Sequence, residues 1–114
     1  MTDIYSMRHV FGVPTALEVI AEPRRRQILD LLRDEERLVT DLVDRLGLAQ
    51  PNVSKHLRVL REAGLVTVRP DGARRWYRVR LEPLVELDAW LAPYRRLWTR
   101  SLDDLEAHLD EMED

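Results

Sequence analysis

The stretch Gln50-Pro51-Asn52-Val53-Ser54-Lys55-His56-Leu57-Arg58-Val59-Leu60-Arg61-Glu62-Ala63-Gly64 decides how the rest of the chain is read. Proline suits the first turn of a helix, where its missing N–H costs nothing, and glycine suits the position that stops one. Val53, Leu57 and Leu60 recur at spacings of four and three, so they face a core. Asn52, Ser54, Lys55, Arg58 and Arg61 then populate the other sides. Upstream, Thr40 reads as the N-cap of a preceding helix, with Leu42, Val43 and Leu46 inward and Gly47 ending it. Two helices joined by a short turn containing glycine, the second basic on its open face, form a helix-turn-helix.

After Gly64 the period changes. Leu65 to Arg69 is rich in β-branched residues and reads as a strand. Pro70-Asp71-Gly72-Ala73 is a turn, with proline presetting φ and glycine permitting φ > 0. Arg74 to Leu81 alternates, with Tyr77, Val79 and Leu81 on one face and Trp76, Arg78 and Arg80 on the other. The result is a β-hairpin with arginines at its tip and along one face. A helix-turn-helix followed by such a hairpin is a winged helix.

Further out, Thr15 and Glu18 match a capping box ahead of a short helix whose apolar side is Leu17, Ile20 and Ala21. Pro23 opens a second helix with Ile28, Leu29, Leu31 and Leu32 as its buried stripe and Arg24, Arg25 and Arg26 in its first turn. Asp34 to Glu36 reads as a loop. From Glu82 the helical period returns, and Leu84, Leu87, Leu91, Tyr94, Trp98, Leu102, Leu105, Leu109 and Met112 approach a heptad seam over about thirty residues. Pro93 is expected to kink or break that helix near Ala92. A small domain cannot cover so long a face, which therefore reads as a dimer surface. The expected fold class is mainly α with a small β-hairpin: a winged helix-turn-helix, dimeric through its terminal helices. Residues 1–114 form one domain in this reading, with a reading head at about 40–80 and dimerisation helices at about 3–21 and 82–112.

The chain has 114 residues and no cysteine, with 18 Lys and Arg against 21 Asp and Glu and a formal net charge of −3. Without thiols, disulfide frameworks, cysteine metal sites, thiol redox sensing and cysteine nucleophiles are excluded. No apolar run approaches the roughly 20 residues a spanning helix needs. Val10 to Ala21, the most apolar stretch, is interrupted by Gly12, Pro14 and Glu18 and makes a poor signal peptide, so the expected location is cytoplasmic. At face value the net charge argues against a nucleic-acid partner. From Gln50 to Arg80, however, Lys55 and seven arginines face only Glu62 and Asp71, giving +6, while the remainder carries −9. The last fourteen residues hold seven acids and no Lys or Arg, and they read as a solvated face.

Reading DNA requires cations for phosphates and forked polar side chains for base edges. Gln50, Asn52, Ser54 and Lys55 cluster where recognition helices address bases. Asn and Gln can pair bidentately with adenine, and Lys can reach guanine. No motif supplies a nucleophile with its base, a phosphate-cradling glycine loop or a metal triad, so the chain does not read as an enzyme. An interaction module whose basic face binds an acidic partner is the alternative, although a charge clamp has no need of Asn, Gln and Ser at those positions.

The stretch from Gln50 to Val66 closely resembles the recognition-helix motif of the ArsR family of winged-helix repressors. Ala21-Glu22-Pro23-Arg24-Arg25-Arg26-Gln27-Ile28-Leu29 resembles the family's second-helix entry, and Asp71-Gly72 with Arg74-Arg75-Trp76-Tyr77 resembles its wing. The resemblance covers roughly residues 10 to 112. It implies a homodimeric repressor on a two-fold operator of double-stranded DNA. Base contacts would fall to Gln50, Asn52, Ser54, Lys55 and His56, and backbone contacts to Arg58, Arg74 and Arg75. The family's familiar effector is a metal, and here the sequence departs. Leu38 to Leu42 lacks the third-helix cysteines of metal sensors. His108-x-x-Glu111 imitates half of a terminal-helix site, but Arg95 and Leu97 stand where the other ligands would be, and two ligands are too few. Neither metal nor cofactor is expected, and any effector is left unidentified. Trp90, Tyr94 and Trp98, interleaved with Arg95, Arg96 and Arg100, read as packing of the dimer seam; a pocket for an apolar or anionic effector is the other reading.

Overall fold

Five helices and a small sheet make up the computed structural model, which describes residues 15–113. In chain order they are α1 (Ala16–Ile20), α2 (Pro23–Leu32), β1 (Arg37–Leu38), α3 (Val39–Leu46), α4 (Gln50–Glu62), β2 (Val66–Asp71), β3 (Arg74–Val79) and α5 (Glu82–Glu113). The sheet is antiparallel, in the order β1-β3-β2. Among the described residues, those up to Leu84 and those from Val85 onward form two compact units.

The first unit is built on one core. Val53, Leu57 and Leu60 of α4 are fully buried beside Ile28 and Leu32 of α2, Leu42 of α3, and Leu65 and Val66 at the entry to the sheet. Each such side chain contributes on the order of 1.5–3 kcal/mol by leaving water. Between α3 and α4 lies a three-residue turn that starts at Gly47, whose φ of 66° is the left-handed helix stop glycine adopts without penalty. The N–H of Gly47 still donates to the carbonyl of Val43 at 2.9 Å. In the hairpin Asp71 pairs with Arg74, leaving Gly72-Ala73 as a two-residue loop with a φ of 59° at Gly72. A positive φ at the first loop position alone is the pattern of a type II′ turn, whose twist matches the strands. Pro70 lies on β2, an edge strand, where a missing N–H is tolerated.

Several local expectations give way to long-range contacts. The sheet has three strands rather than a hairpin alone, because Arg37 and Leu38 pair with Tyr77 and Trp76. That pairing carries the chain directly into α3, so its N-cap is Leu38 and not Thr40. On α1 the buried pair is Ala16 and Val19, while Leu17 is 41% exposed and Ala21 is the exposed C-cap. Arginines of α2 set this orientation: Arg25 donates to the carbonyl of Val19, and Arg26 to those of Ile20 and Ala21, satisfying the end of α1. Leu81 falls beyond β3 and is 64% exposed rather than inward. The expected capping contact at Thr15 is present, its hydroxyl accepting from the N–H of Glu18 at 3.2 Å.

In the second unit α5 continues through Pro93 without a break. Proline removes one intrahelical hydrogen bond, and Arg95 reaches back along the helix to donate to the carboxylate and carbonyl of Asp88. The rings of Trp90 and Tyr94 lie 5.1 Å apart at 43°. Leu91, Tyr94, Trp98, Leu102, Leu105, Leu109 and Met112 of the seam are all exposed.

Arg37 ties the first unit together. Its side chain is 14% exposed and donates to the carbonyl of Leu31 at the end of α2 and to the Asp41 carboxylate on α3. The Arg37 hydrogen bond, reinforced by Arg45, holds the Asp41 carboxyl below the usual carboxylate range. A depressed folded pKa means the unfolded chain binds the proton more readily, so this contribution is complete above the ordinary carboxylate value and is lost as pH falls from there through the lowered folded one. The unfolding temperature of the wild type should therefore be flat near neutrality and fall below about pH 4. Asp41→Asn should show a shallower decline, and identical acid profiles for the two proteins would contradict the assignment.

Candidate nucleic-acid interface

Burying Val53, Leu57 and Leu60 turns the opposite face of α4 outward. Gln50, the first residue of the helix, is exposed, as are Asn52, Ser54, Lys55, Arg58 and Arg61. None of these six side chains has a hydrogen-bonding or ion-pair partner among the described residues. Ala49, the N-cap, makes no side-chain cap bond, so the first-turn N–H groups are not closed off by a capping side chain. A helix start of this kind favours an anion through its N–H groups and dipole.

His56 is placed differently. Its side chain is 20% exposed and turned toward the start of α2, where Nδ1 accepts from Arg25 Nε at 3.4 Å and lies 4.0 Å from the Glu22 carboxylate. Glu22 also caps α2, accepting from the N–H groups of Arg24 and Arg25. Through Arg25, His56 is tied to the carbonyl of Val19 on α1.

Arg74 and Arg75 open β3 at the hairpin loop, exposed and without partners among the described residues. Successive strand residues point to opposite faces, so the tip presents one cation on each side of the ribbon. The other arginines of the basic stretch are not equally available. Arg69 is paired with Glu36 at 2.7 Å, and Arg80 with Glu82 at 3.5 Å. Arg78 donates to the Thr67 hydroxyl. Among the described residues, Lys55, Arg58, Arg61, Arg74 and Arg75 are therefore the cations of this stretch with neither a hydrogen-bond nor an ion-pair partner. Arg61 belongs with this set on exposure alone, a role that the spacing of the helix already allowed.

A groove of about 470 Å³ lined by Ile20, Leu29, Val79, Leu81 and Leu84 together with Arg26, Asp30 and Arg33 contains none of these residues. Among the described residues no group of three or more His, Cys, Asp or Glu is placed to hold a metal, and no helix is long and apolar enough to cross a membrane.

Residues 22–68 match the family model described as bacterial regulatory protein, arsR family. An HTH-type transcriptional regulator of Mycobacterium tuberculosis, Rv0081, is 36% identical over 96 residues, which span 83% of this chain and 82% of that protein. Its crystal structure superposes with a TM-score of 0.61, covering 91% of this chain and 97% of that one. The chain belongs to the ArsR family. This ArsR-family protein is also similar to the arsenical resistance operon repressor of Staphylococcus aureus, at 37% identity over 65 residues. That match spans 57% of the chain and 62% of the repressor, a little under two thirds of its length. A homodimeric winged helix-turn-helix DNA-binding domain from Mycobacterium bovis, described as a possible ArsR-family regulator, has a TM-score of 0.61 and 31% identity. It covers 84% of this chain and 88% of that one. The ArsR-family chain is thus a transcriptional regulator with a winged-helix DNA-binding domain, and its relatives are regulators rather than enzymes.

Proposed function

We propose that this ArsR-family regulator is a cytoplasmic homodimeric repressor that reads a two-fold operator, with α4 in the major groove and the wing on the flanking backbone. The outer face of α4 carries the reading: Gln50, Asn52, Ser54 and Lys55 are exposed, unpartnered and able to address base edges, with Arg58 and Arg61 behind them for phosphates. Arg74 and Arg75 add backbone contacts. His56 holds α4 against α2 through Arg25 and so fixes the angle at which the helix is presented.

The reading head spans about residues 40–80, and pairing uses α5 at about 82–112 together with the first helix at about 3–21, of which residues 3–14 lie outside the described part. The apolar stripe of α5 supports pairing, since soluble monomers rarely expose so long a contiguous apolar surface. The homodimeric relative from M. bovis supports it too. In a dimer, two recognition helices one DNA turn apart would enter successive major grooves.

Light scattering on the purified 13.5 kDa chain should give twice that mass. Selection from a library of genomic fragments should enrich duplexes with inverted half-sites centred about 10–10.5 base pairs apart. A monomer at micromolar concentration, or a selection that enriches no shared sequence, would overturn the proposal.

A further inference from the structure

The outer part of the wing, from Arg69 to Arg75, is exposed. Among the described residues β1 meets β3 only at Tyr77 and Trp76, so from Arg75 outward β2 is the sole sheet neighbour of β3 there. An isolated two-stranded ribbon is marginally stable in water, yet this one must hold Arg74 and Arg75 in place for phosphates.

A chain of contacts runs from the body of the domain to the tip. Glu36, immediately before β1, accepts two hydrogen bonds from Arg69 on β2, at 2.7 Å from Nη2 and 3.4 Å from Nε. A forked guanidinium–carboxylate pair fixes orientation as well as distance. The Arg69 guanidinium carbon lies 5.8 Å from the centre of the Trp76 ring, within cation–π range. Trp76 Nε1–H in turn donates to the Asp71 carboxylate at 3.3 Å. Arg69 faces Trp76 across the ladder, and Asp71 faces Arg74, so the chain ends on the residue opposite the first wing arginine. The Arg69 hydrogen bond holds the Glu36 carboxyl below the usual carboxylate range and raises Arg69 itself.

We propose that Glu36, Arg69 and Trp76 form a latch that positions the wing for DNA, Glu36 and Trp76 acting as positioning residues and Arg69 serving the latch instead of phosphates. The latch also draws Asp71, the one acid of the two strands, against the indole. The proposal rests on the DNA-binding reading above, and its test separates the two.

Glu36→Gln sets two effects against each other. Removing an acid and freeing a guanidinium would tighten DNA binding if charge alone mattered. Loss of the latch would weaken it, because Arg74 and Arg75 would have to be ordered at the moment of binding. The probe is a duplex of about 30 base pairs, three helical turns, recovered by the wild-type protein from genomic fragments. Glu36→Gln should bind it about three- to tenfold more weakly, with a salt slope shallower by about 1 and reduced hydroxyl-radical protection at the flanks but not at the half-sites. Trp76→Phe keeps a ring under Arg69 but loses the N–H bond to Asp71, and should fall between the two. Equal or tighter binding by Glu36→Gln, with full flank protection, would overturn the latch and leave the DNA-binding reading standing. A wild-type protein that recovers no duplex would remove that reading itself, and the latch with it.

Discussion

With Ser54 and Lys55 both replaced by alanine, the regulator is expected to lose most of its preference for its operator while keeping its fold. Both side chains are exposed on the outer face of α4 and bond to nothing among the described residues, so no buried partner is orphaned by removing them. Alanine is the best helix former, so the helix should be as stable as before or slightly more so. A good base-edge contact discriminates by about 1–3 kcal/mol, and a dimer makes each contact twice. The ratio of operator to random-duplex affinity should fall by about 10²-fold or more, mostly through weaker operator binding. Anisotropy titrations against both duplexes measure it, and an unchanged ratio would remove base reading from this part of the helix.

The complementary expectation concerns Arg74 and Arg75. Replacing both by alanine should weaken operator and random duplex by similar factors, because phosphates carry no sequence information. Four cations are lost per dimer, each adding about 0.9 to the salt slope, so the slope should become shallower by about 3–4. At about 0.1 M salt, counted from about 1 M, that corresponds to on the order of 10³- to 10⁴-fold in affinity. The residues are exposed and unpaired, which predicts little change in unfolding temperature. A selective loss on the operator alone would reverse the roles assigned to the wing and α4.

Much of this architecture was legible locally. The spacing of Val53, Leu57 and Leu60, the stop at Gly47 and the change of period after Gly64 each reflect a burial or backbone constraint within a few residues. What escaped depends on partners far along the chain. β1 is two residues long and exists because Tyr77 and Trp76 lie beside it, which no periodicity in Arg37-Leu38 reports. Arg37 looks like any surface charge until Leu31 and Asp41 enclose it. Arg69 counts toward a basic stretch in the sequence, but Glu36, thirty-three positions earlier, neutralises it in the fold. The candidate site was legible as a set of residue types; which of its cations are free was not, because that depends on where the acids of other segments land.

The net charge of −3 conceals this division, and the salt dependence of binding exposes it most directly. Lys55, Arg58, Arg61, Arg74 and Arg75, without side-chain partners among the described residues, would give a dimer ten such cations on its reading surface, of which roughly six to ten meeting phosphates would set a log–log slope of about −5 to −9. Titrating the wild-type protein against a selected duplex across a range of salt concentrations should return a slope in that interval. Salt-insensitive binding, or an acidic polypeptide bound as tightly as the selected duplex, would contradict the account and favour a basic face made for a protein partner.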